Sequence, residues 1–212
     1  MRAPAAPPLE NKRSSVSSVD LTRERLLDAA AQTFSKDGIR GATTRAIARS
    51  AGVNEVTLFR HFKSKEQLLR AVLQRGLASE VAIMDHHSSW KENLRESMEK
   101  YAHHYYSHME KKKGIARAFL AEAQVLPKSM QTMIADVIQP VRERLVLILA
   151  DAQRAGVVRS EVNVECALDA FKNSLYAGML RQGPYLPRNY TTETYIATVV
   201  DIFVRGIETK AH

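Results

Sequence analysis

The sequence predicts an all-α protein: a small N-terminal helix-turn-helix unit followed by a larger C-terminal helical domain. Three observations predict it. Apolar residues recur at three- and four-residue spacing along most of the chain, no run alternates as a strand would, and the helical stretches end at Gly or Pro. With 212 residues, 45% of them hydrophobic, the chain can bury a substantial core. No apolar run approaches the roughly 18 residues that cross a bilayer. The N-terminus MRAPAAPPLENKRSSVSSV lacks the apolar stretch of a signal peptide. A soluble, cytoplasmic protein with no membrane partner is therefore expected. The lone Cys166 excludes an internal disulfide or a cysteine-built zinc site, and is expected as a small buried hydrophobe.

Taken in order, residues 1–19 are rich in Pro, Ala and Ser and read as a disordered arm with a basic spot at Lys12 and Arg13. From Thr22, Leu27, Ala30 and Phe34 fall at helical spacing with Leu26 and Ala31 beside them, and Gly38 supplies a stop. Thr43 is an N-cap for a very short second helix bearing Ile47, Ala48 and Ala51. Asn54 caps a third, to about Phe59, and Ser64 with Gln67 forms a capping box that opens a fourth. Beyond Gln74, helices are expected near 66–86, 91–111, 115–125, 128–155, 164–182 and 192–208. Breaks fall at KKKG (111–114), Leu126-Pro127, Gly156 and GPYLPRNY (183–190). Pro140 should kink the 128–155 helix or mark its true start.

Charge is unevenly placed. Residues 1–76 carry 14 Lys/Arg and 7 Asp/Glu, whereas residues 77–212 carry 17 and 16, so nearly all of the net +8 lies in the first third. A polyanion at that end would account for the bias, although a basic solvated surface is also compatible with it. The third helix sharpens the choice. Val53, Leu58 and Phe62 should pack on Phe34 and Ile47, leaving Asn54, Glu55, Val56, Thr57, Phe59, Arg60 and His61 toward solvent or the rim. Such a mixed apolar and cationic face is unusual in water and suits a major groove. Val56 and Thr57 can meet thymine methyls, and Arg60, His61 and Arg45 can reach phosphate or base edges. Ser64-Lys65, at the start of the fourth helix, forms a phosphate clamp.

These residues are similar to the tetracycline-repressor-like (TetR) family. TRERLLDAAAQTFSKDGIRGATTRAIARSAGVNEVTLFRHFKSKEQLL follows the family pattern, with Phe34, Gly38, Thr43, Ile47-Ala48, Ala51-Gly52-Val53, Leu58-Phe59, His61-Phe62 and Lys65 occurring together. The resemblance implies a homodimeric repressor of a palindromic double-stranded DNA operator. An as yet unidentified small-molecule effector, bound in the C-terminal domain, would change the spacing of two recognition helices. It implies DNA contacts from Thr43, Thr44, Arg45, Thr57, Phe59, Arg60, His61 and Lys65, to which the exposed face adds Val56. Two positions depart from the family pattern. Phe59 stands where Tyr is usual, and Ala46 where an acidic capping partner for Thr43 is common. The expected domains are the arm at 1–19, a DNA-binding unit at 20–69 and a ligand-binding and dimerisation domain at 70–212.

Periodicity in the larger domain brings forward Leu94, Met98, Tyr101, Tyr105 and His108, then Phe119, Met130, Met133 and Val137, then Phe171, Leu175 and Met179. Tyr105, Phe119 and Met133 are the ligand candidates among these, against ordinary core packing. His104 and His108, with His103 adjacent, have a spacing that can hold a metal. No acidic or thiolate partner accompanies them, so a surface or pocket-lining pair is expected, with no metal and no cofactor. His86-His87, near a helix end, are expected to interact with the helix dipole, and KKKG is expected as a solvated helix C-terminus. The 164–182 and 192–208 helices carry Ala167, Ala170, Ala177, Gly178, Ile196, Val199, Val200 and Phe203, and could form a four-helix bundle across a two-fold axis. No phosphate loop, nucleophile elbow, zinc-protease motif or Cys-His pair marks an enzyme. A helical protein-interaction module, or an activator without an inducer, is the remaining alternative.

Overall fold

Leu26, Leu27, Ala30 and Phe34 are fully buried at helical spacing, and the stretch closes as helix α1, Ser18–Gly41. Its path breaks at Gly38, whose φ of 77° and ψ of 170° lie in a region essentially reserved for glycine. Helix α1 begins at Ser18, inside the stretch expected as the arm. The computed structural model describes residues 18–84, 88–181 and 187–209. Residues 1–17 of the expected arm, with Lys12 and Arg13, His86-His87 and residues 183–186 of the last expected break lie outside the described residues.

Helices α2 (Thr44–Ser50) and α3 (Glu55–His61) have seven residues each, too few to persist on propensity alone. Their caps supply part of what is missing. Thr43 Oγ1 accepts from the Ala46 N–H at 3.1 Å, and Asn54 Oδ1 accepts from the Thr57 N–H at 2.8 Å. Each such cap contributes about 1 kcal/mol. Thr43 therefore caps α2 without the acidic partner that Ala46 replaces. Gly52, with φ 69°, makes the turn between the two helices. Ser64 Oγ accepts from the Gln67 N–H at 3.1 Å and opens α4, Lys65–Met84.

The remaining helices are α5 (Ser88–Glu92), α6 (Leu94–Lys111), α7 (Lys113–Glu122), α8 (Lys128–Arg154), α9 (Val164–Leu180) and α10 (Thr192–Ile207). The helix expected near 91–111 is preceded by the separate α5, because Asn93 caps α6 by accepting from the Glu96 N–H at 3.1 Å. Pro140 does not start α8, which runs through it. Both Pro140 and Asp136 are exposed, so the carbonyl that loses its helical hydrogen bond faces water. Among the described residues no strand forms, and an isolated antiparallel bridge joins Val158 to Glu208. No helix among them is long and apolar enough to cross a membrane.

Two apolar clusters organise the chain. One joins α1, α2, α3 and the start of α4 to Leu126 and to Met130, Met133 and Val137 of α8. The other joins α6, α9 and α10 to Val141, Leu145, Ile148, Leu149 and Ala152 of the same α8. Helix α8 is thus a beam whose single buried line serves the small N-terminal unit with one half and the larger body with the other. Cys166, expected as buried, is exposed on α9.

Candidate nucleic-acid interface and the cavity behind it

The α2-turn-α3 unit is anchored from beneath by Ile47, Ala48, Leu58 and Phe62, all buried, with Val53 partly buried against them. Arg23 of α1 lies over the Phe62 ring, 5.3 Å from its centroid. Anchoring one side of α3 leaves the other outward: Val56 is 70% exposed and Phe59 45%. A β-branched side chain and a phenyl ring in water on one short helix forgo apolar burial that a partner surface would recover. Arg60 is exposed beside them. His61 is half-buried, its ring 6.3 Å from that of Phe62. On α2, Arg45 is exposed, and so is Arg49 four residues later, on the same helix face.

Other site residues expected from the sequence have internal partners. Thr44 Oγ1 donates to Glu55 Oε1 at 2.5 Å, tying α2 to α3 and occupying the one carboxylate of α3. Thr57 Oγ1 donates to Asn54 Oδ1 at 2.8 Å, which leaves its methyl available. Lys65 Nζ donates to the Arg40 carbonyl at 3.0 Å. Burial lowers the Lys65 pKa while Glu122 raises it, so the ammonium sits among protein groups. Glu122, on α7, accepts from the Arg40 N–H at 2.8 Å and lies against Gly38 where a Cβ would be. At the other end of α7, Gly114 lies equally close to Ser35 of α1. The small unit and the body therefore meet along an α1–α7 seam keyed by a glycine at each end.

Behind that seam is a cavity of about 740 Å³, which reaches α1 through Ala31 and Ser35, α4 through Val72 and Gly76, α7 through Ala116 and Phe119, and α9 through Tyr176. Tyr105 and Phe119 line it. Met133 does not: it is buried in the cluster beneath α1–α4. Met98, Tyr101, Phe171, Leu175 and Met179 are core residues of the other cluster. Buried Glu80 accepts from Tyr101 Oη at 2.5 Å and from Lys172 Nζ at 2.7 Å. Burial raises the Tyr101 and Tyr105 pKa values, so both hydroxyls stay protonated.

Residues 26–72 match the family model described as bacterial regulatory proteins, tetR family. The N-terminal segment is thus similar to the bacterial regulatory proteins of the tetR family. The HTH-type transcriptional regulator YvkB of Bacillus subtilis is 42% identical over 64 residues, 30% of this chain and 34% of that protein. This chain spans about a third of the length of the first curated relatives that it matches. Similarity of fold to solved structures extends further. The fatty acid degradation regulator FadR of Bacillus halodurans covers 87% of this chain and 95% of its own at 18% identity, with a TM-score of 0.70. The ketosteroid transcriptional regulator KstR2 of Mycobacterium tuberculosis covers 89% and 95% at 23% identity, with a TM-score of 0.65.

Two sequence expectations about the cavity wall need correction or refinement. By composition KKKG is a helix end in water. Lys111 is exposed, but Lys112 is half-buried at the cavity, donating to His108 Nε2 at 2.8 Å and to the Gly76 carbonyl at 3.3 Å. His108 lines the cavity, its Nδ1 3.1 Å from Ser79 Oγ, and His104 is stacked on it at 6.0 Å. No group of three or more metal-capable side chains occurs among the described residues. Accepting from Lys112 requires a lone pair on Nε2, so the Nδ1 proton goes to Ser79.

Burial, and then Lys112, lower the His108 pKa below 6.5. Above the unfolded value both states are neutral. As pH falls through it, the unfolded chain takes up the proton first, and stability declines. Denaturant midpoints should therefore fall between pH 7 and pH 5, and His108→Gln, which keeps an acceptor for Lys112, should make that fall shallower. Equal slopes in the two proteins would refute this assignment.

Proposed function

We propose that this protein is a TetR-family transcriptional regulator that binds a palindromic DNA operator as a homodimer, represses, and is released by a small molecule held in the cavity. The observation that supports this reading best is the outward face of α3, where Val56, Phe59 and Arg60 stand exposed above a rigid anchor. The proposed contacts are Thr43, Arg45, Val56, Thr57, Phe59, Arg60 and His61, with Arg49 added from its position on α2. Thr44 and Lys65 act in this proposal mainly by holding α2, α3 and the end of α1 together. Phe59 offers a ring edge but no hydroxyl to phosphate.

The test is enrichment of duplexes from a random pool by the purified protein, followed by titration against salt. The expected product is an inverted repeat, bound with an affinity that falls linearly on a log-log salt plot. Arg60→Ala should cost about 1–3 kcal/mol and relax discrimination at one position of each half-site. Arg49→Ala should weaken all sequences alike and make the salt slope shallower. No enrichment, or unchanged affinity in both variants, would overturn the reading.

Dimerisation is assigned to α9 and α10. Ile196, Val200 and Phe203, expected from the sequence at a bundle seam, are buried inside the chain. Among the uncovered positions are Ala170 and Ala177 on α9 and Ala197, Thr198 and Ile202 on α10, with Ile202 68% exposed. Small residues around one large apolar residue suit close approach of a second copy. Ile202→Lys should give a monomer by light scattering at micromolar concentration and lower affinity for the inverted repeat far more than for a half-site. A dimer that persists in Ile202→Lys would remove α10 from the interface.

A further inference from the structure

We infer that the cavity selects an apolar anion, a ligand with an aliphatic body and a carboxylate or phosphate head, and that Lys112 is the group that holds the head. This rests on the reading of the cavity as the effector site. The walls near the seam are aliphatic and aromatic: Val72, Leu77, Ile115, Phe119 and Ile138 among them. The charged groups are not balanced. Glu80 is the cavity's one lining carboxylate, and it is already occupied by Tyr101 and Lys172. Arg75 turns away to Glu24 and Asp28, at 2.9 Å each. That leaves Lys112.

Two of the three Lys112 ammonium protons go to neutral acceptors, the Gly76 carbonyl and His108 Nε2. No carboxylate lies within ion-pair distance of Lys112 among the described residues. A half-buried cation without a counter-charge is costly, and an anionic ligand supplies the missing charge. His108 and Ser79 hold the ammonium in place through the chain Ser79, His108, Lys112. Lys36 and Lys111, exposed at the rim, extend the positive region beyond the first contact and so admit a head of more than one charge. The apolar walls then fix the body, as in ligand sites that combine a largely hydrophobic lining with a few polar anchors.

Three probes of equal chain length separate the possibilities: dodecanoate, dodecyl phosphate and dodecanol, titrated calorimetrically into the full chain below their aggregation concentrations. Both anions, or one of them, should bind about tenfold or more tightly than the alcohol, as a charge-assisted hydrogen bond in a partly buried site implies. A preference between the two anions identifies the head. Lys112→Met should reduce anion affinity to that of dodecanol while leaving dodecanol binding unchanged, and Lys112→Arg should restore most of it. Equal binding of alcohol and anions, no binding of any probe, or an unaltered anion preference in Lys112→Met would overturn the inference. Operator affinity is measured alongside. Anion binding through Lys112 that leaves DNA affinity unchanged would uphold the anion site and refute the effector reading, whereas operator affinity lowered alike by all three probes would do the reverse.

Discussion

Lys172→Met should lower the unfolding free energy by about 3 kcal/mol and the Tm by roughly 6–12 °C. The combined Glu80→Gln/Lys172→Met change should recover most of that loss. Glu80 is 2% exposed, so its carboxylate has almost no water to fall back on. Its charge is met by Lys172 at 2.7 Å, and that ammonium also lies 4.8 Å from the centroid of the Tyr105 ring. Removing the lysine strands a carboxylate with only the Tyr101 hydroxyl, which is why breaking a buried pair costs more than the pair contributes. The neutral amide introduced by Glu80→Gln would still accept from Tyr101 while leaving no charge uncompensated. Urea unfolding of the parent and the two variants gives the comparison. A single variant as stable as the parent would mean that Lys172 does not neutralise Glu80 in solution.

The pair also shows why the two halves of the molecule differ in how far the sequence reveals them. In the N-terminal unit each capping side chain acts on a neighbour three residues away: Thr43 on Ala46, Asn54 on Thr57, Ser64 on Gln67. Local spacing is enough to place those caps, the anchoring faces and the outward position of Val56 and Phe59. Arg49 carries a legible signal, its four-residue offset from Arg45. Glu80 and Lys172 are ninety-two residues apart, and nothing in the composition around either one joins them. Lys112 escapes a sequence reading for the same reason. KKKG has the composition of a solvated helix end, and the groups that half-bury its middle residue come from α4 and from His108. Met133 belongs to a periodic apolar line that is real. Periodicity gives the buried face of α8 but not which cluster each half of that face enters.

The α1–α7 seam carries the remaining large effect. Gly38→Val should destabilise the protein by about 2–4 kcal/mol, because its backbone conformation costs about 1–3 kcal/mol in any residue but glycine and because the new side chain must displace Glu122. Displacing Glu122 removes the acceptor of the Arg40 N–H and a charge near Lys65, so one substitution loosens α1, α4 and α7 together. Glu122→Ala should cost only about 1 kcal/mol, since the Arg40 amide can then reach water, and should speed hydrogen exchange at that amide. The double variant should be scarcely less stable than Gly38→Val alone, because valine has already broken what alanine would remove. Simple additivity would show that Glu122 and Gly38 act independently. The seam matters beyond stability. Ile115, Ala116 and Phe119 of α7 form cavity wall, while Gly114 and Glu122 of the same ten-residue helix press on Ser35 and Gly38 of α1. On the proposed reading, a molecule that moves α7 from inside the cavity would press on α1 at both of these close contacts.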